Sequence, residues 1–117
     1  MHRTEIIAEI AQGFEGNPQL AKLLVNGAVV AGANSVKIQM VYADELCVAS
    51  YPYYKLFKSL EMPVDVWGDL VKIAHNKNIN IYFDIYGMDS LKVAQDIGCD
   101  GVKISTTDFY NEHLVQN

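Results

Sequence analysis

The spacing of hydrophobic residues alternates along the chain between a pattern typical of strands and one typical of helices. Glu5 to Ala11 form a short, mostly apolar run that predicts a buried strand. Asn17 and Pro18 predict the start of a helix, which ends at Gly32. Similar patterns predict strands at Ser35 to Met40, Asn80 to Ile85 and Val102 to Ser105, and helices at Pro52 to Leu60, Pro63 to about Asn78, Met88 to Ile97 and after Asn111. Val41 to Tyr51 is predicted to be an irregular insertion.

The predicted order of elements favours an α/β fold with a parallel sheet. Strands that are separated by helices run parallel and are joined by right-handed crossovers. An open doubly wound sheet and a (β/α)8 TIM barrel both fit this order. No glycine-rich phosphate loop follows a predicted strand, and polar residues alternate with apolar ones inside several strands. We therefore predict about four βα units of a barrel, which is half of the usual eight.

The alternation also predicts which side chains point into the barrel. Two strands carry a central lysine, in Val36-Lys37-Ile38-Gln39 and in Val102-Lys103-Ile104-Ser105. The set expected at the mouth formed by the carboxyl ends of the strands is Glu9, Lys37, Gln39, Lys103 and Ser105, with Tyr82 and Asp84 also pointing inward.

Two inward lysines require negative partners, because burial of an unpaired charge is costly. One explanation is structural: Glu9 pairs with Lys37, and Asp84 or Asp108 pairs with Lys103. The other is an anion site, where the lysines bind a small phosphorylated carboxylic acid and Gln39, Ser105 and Thr106 add neutral hydrogen bonds. A third reading makes one lysine a Schiff-base nucleophile, as in class I aldolases, which requires a lowered lysine pKa.

Composition and charge narrow the function classes. The net charge of −5 provides no basic surface for a phosphate backbone, so nucleic-acid binding is not expected. The N-terminus lacks the pattern of a signal peptide, and the most apolar window, Leu23 to Ala33, is too short to span a bilayer. We expect a soluble cytoplasmic protein without a membrane partner. Neither the two cysteines nor the three histidines show metal-ligand spacing, so no metal ligand is predicted within this sequence.

Several segments in order along the chain resemble the sialic acid synthase (N-acetylneuraminate synthase) family. The matching residues are Ile7-Ala8-Glu9-Ile10, Leu20-Ala21-Lys22-Leu23, Ala31-Gly32-Ala33, Val36-Lys37-Ile38-Gln39, Ala43-Asp44-Glu45-Leu46 and Val102-Lys103-Ile104 with Asp108. They extend over nearly the whole chain. The resemblance implies that residues 1–117 are the N-terminal half of the family's barrel, without its C-terminal half and its antifreeze-like domain.

The resemblance also implies a reaction. Family members condense phosphoenolpyruvate with an N-acetylmannosamine-type sugar to give a nine-carbon 2-keto acid. Lys37 and Lys103 would bind phosphoenolpyruvate with Gln39 and Thr106 nearby, Glu9 would face the sugar, and Asp108 would contact substrate. A divalent metal, manganese or magnesium, would polarise the acceptor aldehyde, with its ligands outside this chain.

The chain also departs from the family pattern on the sugar side. Gly13-Phe14-Glu15-Gly16 replaces a polar loop, and Phe83-Asp84-Ile85-Tyr86 replaces a serine-threonine-proline segment. We therefore expect an acceptor sugar other than the usual one.

Half a barrel would leave two unpaired sheet edges. We expect this piece to be inactive by itself and to be either a fragment or a chain that forms a homo-oligomer. A domain that binds a ligand or assembles with a partner without catalysis is the remaining alternative.

Overall fold

The structure is a computed structural model that describes residues 3–117. These residues form four strands and six helices, and all of them except one short helix follow the predicted order. They are β1 (Ile7–Ala11), α1 (Pro18–Val30), β2 (Ser35–Gln39), α2 (Ala43–Leu46), α3 (Tyr54–Ser59), α4 (Val64–Asn76), β3 (Asn80–Ile85), α5 (Met88–Asp96), β4 (Gly101–Ile104) and α6 (Glu112–Gln116). A 3-10 turn, Thr106–Asp108, follows β4.

The strands form one parallel sheet in the order β1-β2-β3-β4. Chain order and spatial order are therefore the same, as successive βα units of a barrel require. The registers place Glu9 beside Lys37 and Gln39 beside Asp84, which in turn lies beside Lys103. All of these residues share the face of the sheet that the helices leave open.

The boundaries of α1 follow the sequence signals. The side-chain oxygen of Asn17 accepts hydrogen bonds from the backbone N–H groups of Gln19 and Leu20, at 2.9 and 3.3 Å. Pro18 occupies the first helical position, where a missing N–H is harmless. Gly32 has a φ of 81°, the left-handed conformation that ends many helices.

The hydrophobic core lies between the sheet and the helices. Trp67 of α4 is fully buried, with Phe14 and Phe83 packed edge-on against its ring at centroid distances of 5.5 and 5.7 Å. The indole N–H donates to the backbone oxygen of Met62 at 3.1 Å, so burial leaves this polar group satisfied. Phe14 belongs to the loop between β1 and α1, so this loop contributes to the core.

Two sequence predictions need correction. The segment predicted to be irregular, Val41 to Tyr51, contains the four-residue helix α2. The last strand is Gly101–Ile104, so Ser105 follows the strand as the residue before the 3-10 turn. Both elements are so short that hydrophobic periodicity gives almost no signal.

The N-terminus of α5 has a cap that the sequence did not indicate. The Oε1 atom of Glu45 in α2 accepts the backbone N–H groups of Asp89 and Ser90, in the first turn of α5, at 2.8 and 3.0 Å. The hydroxyl of Ser90 accepts the N–H of Gly87 at 3.2 Å. A carboxylate at a helix N-terminus is favourable for the helix dipole.

None of the helices formed by residues 3–117 is long and apolar enough to cross a membrane.

Gly16 provides a test of the fold. Its φ is 68°, and a Cβ atom added there would lie 2.0 Å from the backbone oxygen of Ser59. Gly16→Ala is expected to lower the free energy of unfolding by about 2 kcal/mol or more, because both the backbone strain and the collision must be relieved. Denaturant unfolding measures the change.

Gly68→Ala is the matched control. Gly68 lies within α4, and its added Cβ would meet only the Ile97 side chain at an ordinary 3.8 Å. This variant should be as stable as the natural protein or more stable by about 0.5–1 kcal/mol. Equal effects of the two substitutions would show that the packing of the Gly16 loop on α3 is wrong.

Candidate active site

A cluster of charged side chains lies on the open face of the sheet, between the middle of the strands and their carboxyl ends. Lys37 of β2 is at its centre. Its Nζ atom lies 2.5 Å from Oε2 of Glu9 on β1 and 2.6 Å from Oδ2 of Asp84 on β3. The Nζ atom of Lys103 on β4 lies 3.4 Å from the other carboxylate oxygen of Asp84. Every strand of the sheet therefore contributes one charged residue to the cluster.

Burial differs strongly among these side chains. Asp84 is 1% exposed and Lys37 19%, whereas Glu9 and Lys103 are 44% and 57% exposed. These differences in exposure follow the order of the strands, because β2 and β3 have a strand on each side while β1 and β4 are edge strands. Asp84 is thus the least exposed member of the cluster.

Glu9 is oriented by an irregularity in β1. The register to β2 shifts between Glu9 and Ala11, and Ala11 has a φ of 51°, an uncommon value for a residue other than glycine. The Oε1 atom of Glu9 accepts the N–H of Ala11 at 2.8 Å, which leaves Oε2 for Lys37. Bulges often redirect a side chain in this way near functional sites.

The partners of Lys37 determine its protonation. Partial burial is the largest single influence and lowers the pKa of Lys37, but the hydrogen bonds and charges of Asp84 and Glu9 together outweigh it. The net effect raises the pKa above its ordinary value. A Schiff-base nucleophile needs a neutral amine, so this environment counts against Lys37 as a class I aldolase lysine.

Tyr86 follows β3 directly and was not among the predicted site residues. Burial is the main cause that raises the pKa of Tyr86 to about 12, and the negative charges of Asp84 and Glu9 add to the effect. Its phenol therefore remains a neutral hydrogen-bonding group near the cluster. The sequence signal was available, since Tyr86 stands two residues beyond an inward Asp84 in the segment that departs from the family.

Some of the predicted site residues belong to the lysine cluster, and others lie outside it. Ser105, Thr106 and Asp108 form the turn after β4, where the Thr107 hydroxyl donates to that of Ser105 at 3.0 Å. Among the hydrogen bonds and ion pairs of residues 3–117, none connects this turn to the lysine cluster. Gln39 lies beside Asp84 in the register of β2 and β3.

The observed ion pairs correspond to the structural explanation considered above. Glu9 pairs with Lys37, and of the two acids proposed for Lys103 it is Asp84 that lies within reach. The roles of these residues toward a substrate remain predictions.

The described residues offer no evident metal site. Within residues 3–117, no group of three or more His, Cys, Asp or Glu side chains could hold a metal ion. His2 lies outside the described residues.

A groove of about 760 Å³ runs along the open edge between β1 and α1. Apart from Glu9 and Asn26 its lining is apolar, with Ile10, Leu24 and Ala28 among its residues. It offers little chemistry of its own, so the charged cluster is the better candidate for a reaction site.

Comparison with known proteins identifies the family. A sequence model of the NeuB family matches residues 24–117. The chain belongs to the NeuB family. An uncharacterized protein of Methanocaldococcus jannaschii is 27% identical over 105 residues, which are 90% of this chain and 31% of that protein.

Solved structures agree on the fold. An N-acetylneuraminic acid (sialic acid) synthetase from Leptospira borgpetersenii, in complex with citrate, matches 97% of this chain with a TM-score of 0.87 and 24% identity. A spore coat polysaccharide biosynthesis protein from Bacillus subtilis matches 88% with a TM-score of 0.66 and 25% identity. The chain spans 40% and 30% of these two proteins. The four-stranded parallel sheet corresponds to the N-terminal half of a NeuB-type TIM barrel, which confirms the predicted fold.

Tyr86 gives a test of the electrostatics. Its folded pKa of about 12 exceeds the value of about 10 in an unfolded chain. As the pH rises, the unfolded chain therefore loses the phenolic proton of Tyr86 at a lower pH than the folded chain does. The stabilising contribution of Tyr86 is complete below pH 10 and disappears as the pH rises from 10 to 12.

Ultraviolet absorbance of the phenolate measures the titration. The component of the absorbance change that ionises at the highest pH should vanish in Tyr86→Phe. It should move to lower pH in Asp84→Asn, because Asp84→Asn removes one of the two nearby negative charges. A titration of Tyr86 that is unchanged by Asp84→Asn would contradict the geometry of the cluster.

Proposed function

We propose that this chain is part of a sialic acid synthase-like enzyme that condenses phosphoenolpyruvate with an N-acetylmannosamine-type sugar. The observation that carries the proposal is the pair of inward lysines in a chain of the NeuB family: Lys37 in the middle of β2 and Lys103 near the carboxyl end of β4. Barrel enzymes keep their reaction centres at this end of the strands. The product is a nine-carbon 2-keto sugar acid.

The lysines would bind the two anionic groups of phosphoenolpyruvate. Gln39, Ser105 and Thr106 would add neutral hydrogen bonds, and Asp108 would contact substrate from the turn after β4. Glu9 would face the acceptor sugar from the edge strand. Charged donors to phosphate and carboxylate oxygens make stronger bonds than neutral ones, so Lys37 and Lys103 carry most of the expected affinity.

The reaction joins C3 of the enol to the carbonyl carbon of the acceptor, consumes one water and releases phosphate. A divalent cation such as Mn²⁺ or Mg²⁺ would supply Lewis-acid polarisation of the acceptor aldehyde. Its ligands would come from outside this chain, as the family resemblance implies. The cytoplasmic location and the homo-oligomeric state remain predictions.

The proposal is tested in the complete natural protein that contains this sequence. Phosphoenolpyruvate and N-acetylmannosamine are supplied with Mn²⁺, and phosphate and the 2-keto acid are quantified. Equal amounts of the two products are expected. A complete protein that binds phosphoenolpyruvate without consuming it would instead support a ligand-binding domain.

Lys37→Met tests the role of the central lysine. Loss of a hydrogen bond to a charged group costs about 1.5–3 kcal/mol, so the affinity for phosphoenolpyruvate should fall roughly tenfold to a hundredfold. Isothermal titration calorimetry measures the dissociation constant.

Lys72→Met is the matched control, because Lys72 is 77% exposed on α4 and pairs only weakly with Asp69 at 3.8 Å. The affinity of this variant for phosphoenolpyruvate should equal that of the natural protein. Unchanged affinity in Lys37→Met would refute the assignment of the phosphoenolpyruvate site.

A further inference from the structure

Tyr86 has a hydroxyl group that takes part in no hydrogen bond within residues 3–117. The residue follows β3 directly, and Tyr82 and Asp84 before it lie on the open face of the sheet, so the alternation along the strand brings Tyr86 to the same face. The residues in between are fully buried on the side of the helices. The Tyr86 side chain is half-buried beside the lysine cluster.

Tyr82 is a useful contrast, because its hydroxyl is occupied by the fold. It donates to Oε1 of Glu5 at 3.1 Å and accepts from the Asn80 amide at 3.4 Å. Tyr86 has a fixed backbone instead, since its N–H donates to the buried hydroxyl of Ser90 at 3.0 Å. Its own hydroxyl is not enclosed by protein atoms. A ligand at the mouth of the barrel can therefore reach this group.

The negative neighbours of Tyr86 define the ligand group that it can bind. Burial, Asp84 and Glu9 together keep the pKa of Tyr86 far above neutral pH, so its hydroxyl remains a proton donor. Glu9 is 44% exposed, and a carboxylate accepts hydrogen bonds without donating any. A ligand group that accepts from Tyr86 and donates to Glu9 satisfies both. A neutral hydroxyl does this, because it is donor and acceptor at once.

We propose that Tyr86 and Glu9 form a subsite for a neutral, polyhydroxylated ligand such as a sugar, beside the lysines that bind the anion. The inference rests on the proposed function in assigning the anionic ligand to Lys37 and Lys103. It adds Tyr86 as a residue that determines specificity for the second ligand.

The two parts of the site then differ in chemistry. A phosphate or carboxylate group offers no donor to Glu9 and is repelled by its charge, so an anion is held by Lys37 and Lys103 instead. The Tyr86 ring provides an apolar surface next to its polar hydroxyl. A sugar has the same combination, with C–H groups beside hydroxyl groups, and can contact both parts of the tyrosine.

The competing explanation is that Tyr86 only packs at the mouth of the barrel. Tyr86→Phe separates the two explanations, because it keeps the ring and removes only the hydroxyl. A packing role predicts no change in the affinity for any ligand. A role in binding predicts a loss that is confined to the neutral sugar.

The experiment measures dissociation constants by isothermal titration calorimetry in the complete natural protein and its Tyr86→Phe variant. N-acetylmannosamine is titrated with inorganic phosphate present, so that an ordered binding of the two ligands does not hide the sugar, and phosphoenolpyruvate is titrated separately. Loss of one hydrogen bond should weaken sugar binding about threefold to tenfold and leave phosphoenolpyruvate binding within about twofold.

Three results would overturn the inference. They are sugar binding that is unchanged in Tyr86→Phe, an equal loss for both ligands, and a natural protein that binds phosphoenolpyruvate but not the sugar. Tyr86→Leu removes the ring as well and should weaken sugar binding at least as much as Tyr86→Phe does. Tighter sugar binding in Tyr86→Leu than in Tyr86→Phe would contradict the contact with the ring.

Tyr82→Phe is the matched control. It removes a tyrosine hydroxyl from the same face of β3, but one that is bonded to Glu5, just before β1. The affinity of this variant for N-acetylmannosamine should stay within about twofold of the natural value, because no hydrogen bond to the ligand is lost. A loss as large as that in Tyr86→Phe would show a general effect of hydroxyl groups on this face and overturn the role of Tyr86.

The sugar titration separates this inference from the proposed function, because neither titration involves turnover. A selective loss of sugar binding in Tyr86→Phe together with a failed condensation assay would support the subsite and remove the proposed reaction. Successful condensation together with unchanged sugar binding in Tyr86→Phe would remove the present inference alone.

Discussion

The organisation of the open face depends on one ion pair in the middle of the sheet, between Lys37 and Asp84. The two residues come from the two central strands and lie 2.6 Å apart in a largely buried environment. Neither charge could be placed there alone, because an isolated buried charge is strongly unfavourable. Glu9 and Lys103 then extend the pair to both edge strands. The same contacts that make the interior charges tolerable surround the two lysines to which we propose that an anion binds.

Much of the fold could be predicted from local signals. The phase of Val36-Lys37-Ile38-Gln39 assigned inward and outward faces correctly, because a strand has a period of two and one face packs on helices. The long helices were marked by caps and breakers such as Asn17 and Gly32. The helix α2 was missed because four residues hold less than two turns, and its first residue, Ala43, follows a tyrosine that makes no side-chain cap.

The candidate site was only partly predictable, for reasons of tertiary geometry. The sequence indicated that Lys103 needs an acid but left Asp84 and Asp108 as alternatives, and the parallel pairing of β3 with β4 decides for Asp84. The importance of Tyr86 depends on its burial beside two carboxylates, which no local pattern encodes. The same holds for Phe14, which could be recognised as a departure from the family but not as a neighbour of Trp67.

The contact between α2 and α5 places a constraint on how this part of the chain can evolve. The Glu45 carboxylate holds the first N–H groups of α5, and it passes so close to Gly87 that a Cβ atom there would lie 2.6 Å from Oε1. A larger residue at 87 would require the Glu45 side chain to turn away from α5 or to be replaced by a shorter one. Positions 45 and 87 should therefore covary among homologues, although position 45 follows β2 and position 87 follows β3.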